Sequence, residues 1–308
     1  MPIKSFLSTL LLLPVYFFSF AQNSNIEKQH KQLYVYEDSL KALSFQIINN
    51  ENELERYNNN YKFIKTLVSA LKTPQSFNYL FDSLKSVSIL TSPDKKFKIF
   101  SWRLMNNDGS YRYYGTIQMN DGSERLKLHP LVDNSALINK PADTATTNDK
   151  WFGAQYYRII PVTQNAPIPY YILLGWKGNT VKTTKKVIEV LYFKDGKACF
   201  GLPVFDGDKE HPGQKRIVFE YSRQVSMLLR YVPEKETIVF DHLAAPDPKM
   251  KGKYEMYGPD MSYDGYKLTK GRWRYIEDLE LKNDNSELDE QFNDPRNPKT
   301  SIKRKFIE

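Results

Sequence analysis

From Ile26 to Val68 an apolar or aromatic residue returns every seventh position: Ile26, Leu33, Leu40, Ile47, Leu54, Tyr61 and Val68. A second row three residues later reads Gln29, Tyr36, Leu43, Asn50, Tyr57, Ile64 and Leu71. Rows of this spacing put their side chains on one stripe of a helix, the a/d pattern of helices that pack against helices. No glycine or proline interrupts the pattern before Pro74, so the segment predicts either one long helix or a helical hairpin. The asparagine groups at 49–52 and 58–60 are the expected bends. Asn50 and Gln29 at core-type positions weaken a coiled coil while fixing its register. The stripe serves self-association through residues 26–71 equally well as packing on the rest of the same chain.

Thr73-Pro74 reads as a helix start, with Phe77, Leu80, Phe81 and Leu84 as its apolar face, so a second, short helix is expected there. After Ser92-Pro93-Asp94 the apolar period changes from near 3.6 to near 2, the change that marks entry into a sheet. Asn107-Asp108-Gly109-Ser110, Asn120-Asp121-Gly122-Ser123 and Lys194-Asp195-Gly196-Lys197 each stand between strand-like runs, and Asp-Gly favours a tight hairpin turn. The runs are Lys98 to Met105, Tyr111 to Met119, Glu124 to Leu128, Tyr156 to Val162, Tyr170 to Trp176, Val190 to Phe193 and Ala198 to Phe200. Arg216 to Tyr221, Ser226 to Val232, Thr237 to His242 and Arg272 to Ile276 complete the set. Residues 183–191 are ambiguous between strand and helical turn because of their β-branched residues. Residues 133–150 read as a surface excursion.

The expected fold class is therefore α+β: a long N-terminal helix or helical hairpin over residues 22–87, then a predominantly antiparallel β domain over 88–281, a sandwich or a partly closed barrel. Residues 282–308 are rich in Asn, Asp, Glu, Lys and Pro and predict a loosely ordered polar tail.

Residues 1–21 predict a signal peptide: Lys4, an apolar run from Phe6 to Phe20, and small residues at Ser19 and Ala21 before Gln22. The run is too short and interrupted for a span of about 20 residues, so no membrane span is expected in the mature form. Export is accordingly expected, to the periplasm or the exterior. The single cysteine, Cys199, leaves no site for lipid attachment behind the leader and no partner for an internal disulfide. The chain carries a net charge of +8, with acids interspersed among its lysines. In an exported chain this excess suits anionic envelope polymers better than nucleic acid, which is not expected as a partner.

Ser92-Pro93-Asp94-Lys95-Lys96-Phe97, Leu174-Gly175-Trp176 and the stretch from Tyr257 through Gly258-Pro259-Asp260-Met261-Ser262-Tyr263-Asp264-Gly265 to Tyr266 resemble stretches of uncharacterised exported proteins of Bacteroidetes-type bacteria. The resemblance runs from about the heptad segment to Trp273. It implies export and a shared fold, and no activity. Ser-Pro-Asp before a strand is also similar to a propeller-blade start, but it occurs once and without a repeat.

Asp260, Ser262 and Asp264, followed by Gly265, place oxygen side chains at alternating positions like the opening of a calcium loop. The glutamate that a helix–loop–helix calcium site needs at its twelfth position is replaced by Gly271. Calcium at this turn is thus one expectation and an Asx-stabilised turn the other. Asp206, Asp208, Glu210 and His211 crowd one segment and are the residues that a metal-assisted hydrolase of envelope glycan or peptide would use. Between two strands and beside Gly207 and Pro212-Gly213, a solvated loop is the plainer reading. Asp241 and His242 are adjacent on a strand and face opposite ways, which argues against a catalytic pair. No nucleophile elbow, zinc-protease motif or phosphate loop occurs, so no catalytic residue is assigned. The leading expectation is a non-enzymatic binding or structural module whose partner is a protein or an envelope polymer.

Overall fold

The structure, a computed structural model, describes residues 13–123, 125–207 and 212–280, with side chains from residue 26 onward. The first twelve residues, which belong to the expected signal peptide, Asp208, Glu210, His211 and the expected tail 282–308 lie outside the described residues. The backbone of 13–25 continues the first helix.

Two helices, α1 (Leu13–Asn49) and α2 (Glu53–Leu71), form an antiparallel-type hairpin. The first asparagine group makes the corner. Asn52 caps α2 by accepting from the Glu55 amide, and Asn50 accepts from the Asn52 amide at 2.9 Å. The second group stays helical, and there Asn60 is buried and accepts from the Trp102 indole N–H at 2.8 Å.

Because the corner leaves the helical path, it resets the heptad phase. Leu33, Leu40 and Ile47 of α1 are 0–2 % exposed, but Leu54 and Tyr61, in the same row, are 67 % and 59 % exposed. On α2 the buried row is instead Arg56, Asn60, Phe63, Leu67, Ala70 and Leu71. Each fully buried Leu, Ile or Phe contributes about 1.5–3 kcal/mol to holding the hairpin down.

Residues 72–87 form successive turns, not the short helix expected after Thr73-Pro74. Gln75 and Phe81 adopt left-handed backbone conformations, which a helix does not admit. Of the residues expected on a helix face, Phe81 and Leu84 still find the core, joined there by Val87, whereas Leu80 is 67 % exposed. Glu37 of α1 ties this segment down, accepting from the Tyr79 hydroxyl and from the Ser83 amide and hydroxyl at 2.7 Å. Burial works against the Glu37 charge, and these hydrogen bonds outweigh it and hold its carboxyl below the usual range.

Fifteen strands form three sheets among the described residues. The first is an antiparallel meander, β1 (Ser88–Thr91), β2 (Phe97–Met105), β3 (Tyr111–Met119) and β4 (Leu128–Val132). The second orders β5 (Thr146–Thr147), β9 (Lys197–Phe200), β8 (Thr183–Lys194), β7 (Tyr170–Gly178) and β6 (Gln155–Val162), with β11 (Ile217–Ser222) also on β8. The third orders β10 (Phe205–Asp206), β15 (Arg272–Ile276), β14 (Gly258–Thr269), β13 (Thr237–Ala244) and β12 (Leu229–Val232). Every pairing in them is antiparallel except β10 with β15.

Strand alternation explains how these parts stack. On β2, Phe100, Trp102 and Leu104 face the helical hairpin, whereas Phe97 and Ile99 face the second sheet. On β7, Tyr171 and Leu173 meet the first sheet, whereas Tyr170, Ile172 and Leu174 meet the third. The result is four layers, the hairpin followed by three sheets, and the expected sandwich is realised twice over. The central sheet, covered on both faces, carries the continuous apolar runs that such burial demands.

The meander matches the turn signals closely, except that β4 lies a few residues later than the expected run from Glu124. Residues 183–191 are strand. The long β14 departs from the sequence expectation, because Asp260-x-Ser262 imitates a turn locally.

Between the first two sheets Glu189 and Arg216 form an ion pair at 2.8 Å whose side chains are 1 % and 0 % exposed. Arg216 also donates to the carbonyls of Pro141 and Thr144, which anchors the 133–150 excursion over the sandwich edge. Nearby, the buried Lys177 ammonium donates to Ser135 Oγ at 2.7 Å and to the Phe152 and Gly153 carbonyls at 2.8 Å. Burial pushes its pKa down to about 8. The three contacts make Lys177 a clamp on this loop.

Candidate functional site

The helical hairpin does not cover the whole outer face of the first sheet. Where α2 runs past β3 and β4 it leaves a cavity of about 280 Å³. One wall is Ile64, Leu67 and Val68 of α2, and the floor is Trp102, Tyr114, Thr116, Leu128, Pro130 and Val132. The floor residues share one face because they alternate along their strands: Tyr114 and Thr116 on β3, Leu128, Pro130 and Val132 on β4. Val132 is 47 % exposed, so the cavity reaches solvent at the β4 edge. Arg112 and Asp133 stand at its rim. A mostly apolar, concave site with a few polar groups at its edge is the form that small-ligand sites take.

Trp102 is positioned from two sides: its N–H bonds Asn60, and its ring stacks on Tyr114 with centroids 6.0 Å apart. Burial pushes the Tyr114 phenol up to about 12, so it remains a neutral hydroxyl. The Asp133 carboxylate is already engaged by the Tyr113 amide at 2.9 Å, the Ser135 amide at 3.0 Å and the Ser135 hydroxyl.

The expected calcium-type residues occupy a different place. Asp260, Ser262 and Asp264 lie on β14, not in a loop. Asp241 pairs with Tyr263 and Leu243 with Pro259, so three residues of β14 bulge opposite one residue of β13, His242. Asp260 in the bulge and Asp264, in regular register beside it, both approach that imidazole. His242 Nδ1 is 2.8 Å from Asp264 and Nε2 is 3.9 Å from Asp260. Asp264 is buried and also accepts from the Tyr275 hydroxyl at 2.8 Å and the Asp278 amide at 3.2 Å. Asp260 accepts from the amide and hydroxyl of Ser262. Both Asp264 oxygens and one Asp260 oxygen thus accept hydrogen bonds, and among the described residues no three His, Cys, Asp or Glu side chains gather as metal ligands. The partner of His242 is not its neighbour Asp241 but Asp264, on the adjacent strand.

The Asp264 hydrogen bond raises the His242 pKa, against the opposing effect of burial and with help from the charges of Asp264, Asp260 and Asp278. A raised imidazole pKa stabilises the fold fully below the unfolded value near 6.5, and the gain is lost as pH rises through the folded value. Accordingly, the stability difference between wild type and His242→Gln is expected to shrink from pH 5.5 to pH 8.5. Urea unfolding at several pH values checks this, and a difference that does not change with pH would contradict it.

Asp206, the one described member of the Asp206, Asp208, Glu210 and His211 group, is held by Arg272 at 2.5 and 2.6 Å in a two-pronged ion pair. Its carboxyl sits below the usual range mainly through that contact. Cys199 is half-buried and burial pushes its thiol up, away from the thiolate. The cavity was missed in the sequence because its residues come from α2, β2, β3 and β4, each read as core. The one available signal was the surplus of apolar residues on both faces of β2.

No helix among the described residues is long and apolar enough to cross a membrane. No family model, curated protein or solved structure matches this chain.

Proposed function

We propose that this chain is an exported, non-enzymatic binding module of the cell envelope or exterior, and that the cavity between α2 and β2–β4 is its ligand site. The observation that carries the reading is a preformed apolar recess of about 280 Å³ that reaches solvent at one edge and is lined by a stacked Trp102–Tyr114 pair. Export rests on the leader at residues 1–21 and its cleavage pattern before Gln22.

In this reading the heptad residues of α1 serve the chain's own core, because Leu33, Leu40 and Ile47 are already covered. Self-association through 26–71 would use the outward Tyr34, Val35, Phe45 and Tyr61 instead. The alternative, a metal-assisted hydrolase, draws no support from Asp206, whose carboxylate is occupied by Arg272.

The test is calorimetric titration of purified mature protein with 1-decanol, a neutral apolar probe, beside the cavity-filling variant Val68→Phe. Saturable binding with one site per chain is expected, weakened at least about tenfold in the variant. A wild-type protein that takes up no probe would overturn the proposal. Mass spectrometry of the exported form, expected to begin at Gln22, tests the export half separately.

A further inference from the structure

We infer that the cavity binds a free, single-chain anionic amphiphile, a fatty carboxylate whose hydrocarbon chain fills the recess while its head pairs with Arg112. This rests on the preceding reading and names its ligand class. The body is inferred from size and lining. A volume of about 280 Å³ holds about nine groups of the size of a water molecule at roughly 30 Å³ each, which is the scale of a medium hydrocarbon chain. Its walls offer such a chain aliphatic and aromatic carbon.

The head is inferred from charge. Arg112 is exposed at the rim. Lys65 and Lys72 stand about one turn before and one turn after Val68 on or at the end of α2, and so flank the α2 wall. Lys127 directly precedes Leu128 of the floor, half-exposed and 3.6 Å from Asp121. The single acid of the lining is Asp133, and its carboxylate already receives two amides and a hydroxyl. Ser135, which supplies one of those amides and the hydroxyl, is in turn bonded by the Lys177 ammonium. With Lys127 paired to Asp121, Arg112, Lys65 and Lys72 still outnumber Asp133, so the net charge around the opening is positive. Arg112 presents a planar fork that matches a carboxylate at two points. The Tyr114 phenol beside it is a neutral hydrogen-bond donor.

The experiment titrates the full mature protein with decanoate, 1-decanol and decyltrimethylammonium below their micellar concentrations, using wild type, Arg112→Gln and Val68→Phe. Decanoate is expected to bind at least about tenfold more tightly than decanol, with a preference that shrinks as salt is raised. Arg112→Gln is expected to remove most of that preference while changing decanol affinity less than about twofold. Val68→Phe should weaken both. Vesicles of phosphatidylglycerol are expected not to retain the protein.

If decanol and the ammonium compound bind as tightly as decanoate, the anionic head is wrong and the cavity reading survives. If none of the three binds, the binding-module reading itself falls. Retention on vesicles that is equal in wild type and Val68→Phe would assign the basic surface to a bilayer and overturn the free amphiphile.

Discussion

Arg216→Met is expected to lower the unfolding free energy by about 3–5 kcal/mol, the cost typical of removing one partner from a buried ion pair. Glu189 sits on β8 with its side chain 1 % exposed, and Arg216 is the cation that faces it at 2.8 Å. Burial already pushes the Glu189 carboxyl up even with the guanidinium beside it. Without Arg216 the carboxylate must either remain charged with no counter-ion or take up a proton. The carbonyls of Pro141 and Thr144 lose their donor as well, which frees the excursion that seals the sandwich edge.

In Arg216→Met the folded form holds a proton on Glu189 over a pH range in which the unfolded chain has released it. Stability therefore falls as pH rises above about 4.5, the ordinary glutamate value, and recovers as pH is lowered toward it. Urea unfolding at pH 5 and pH 7.5 checks both size and direction. Adding Glu189→Leu should restore more than half of the loss at pH 7.5, since two apolar residues replace the pair without leaving a bare charge. A loss under about 1 kcal/mol, or a double variant no better than the single, would contradict this account.

The second large effect is expected at Gly271. Lys270 and Gly271 form the two-residue connection between β14 and β15, with Thr269 paired to Arg272 and both turn residues at positive φ, +50° and +75°. That is the geometry of the tight hairpin turn that suits the twist of the strands, and it favours glycine at the second place. The turn is also pressed against another loop. A Cβ at Gly271 would lie 2.4 Å from the Asn165 backbone oxygen, and the Gly271 carbonyl accepts from the Tyr170 hydroxyl at 2.8 Å.

A side chain at Gly271 thus meets both backbone strain, about 1–2 kcal/mol, and a collision that displaces main chain, about 1–3 kcal/mol. Gly271→Ala is expected to cost about 3 kcal/mol, measured by denaturant unfolding. Gly196→Ala is the control. Gly196 also has positive φ but has no neighbouring atom within 4 Å of its would-be Cβ, so it should show the strain alone. Equal losses at the two positions would mean that the contact with Asn165 contributes nothing.

Much of the layer structure was legible in the sequence because periodicity is a local property. The period-seven stripe of 26–71 announced helices, and the alternation after Ser92-Pro93-Asp94, punctuated by Asp108-Gly109, Asp121-Gly122 and Asp195-Gly196, announced antiparallel strands. The Asn49 to Asn52 group marked the corner of the hairpin, because short polar side chains satisfy backbone groups outside a helix. Ambiguous local chemistry hid other elements. Asp260 and Ser262 make the hydrogen bonds of a turn, but these belong to a bulge inside a twelve-residue strand. Thr73-Pro74 has the form of a helix start, yet residues 75–87 make a run of turns that Glu37, 46 residues before Ser83, pulls onto α1.

The sequence by itself determined the helical hairpin and most of the antiparallel strands, since their periodicity depends on side chains a few positions apart, but not the turns of 72–87 or the strand β14. Only the tertiary structure decided which faces meet. It set His242 beside Asp264 through the register of β13 and β14, Glu189 beside Arg216 across 27 residues, and the uncovered floor of β3 and β4 beside α2. The physical reason is that apolar burial is non-directional. An amphipathic stripe or strand face specifies that it must be covered but not by what, and the choice rests on shape, register and charge between segments far apart in the chain.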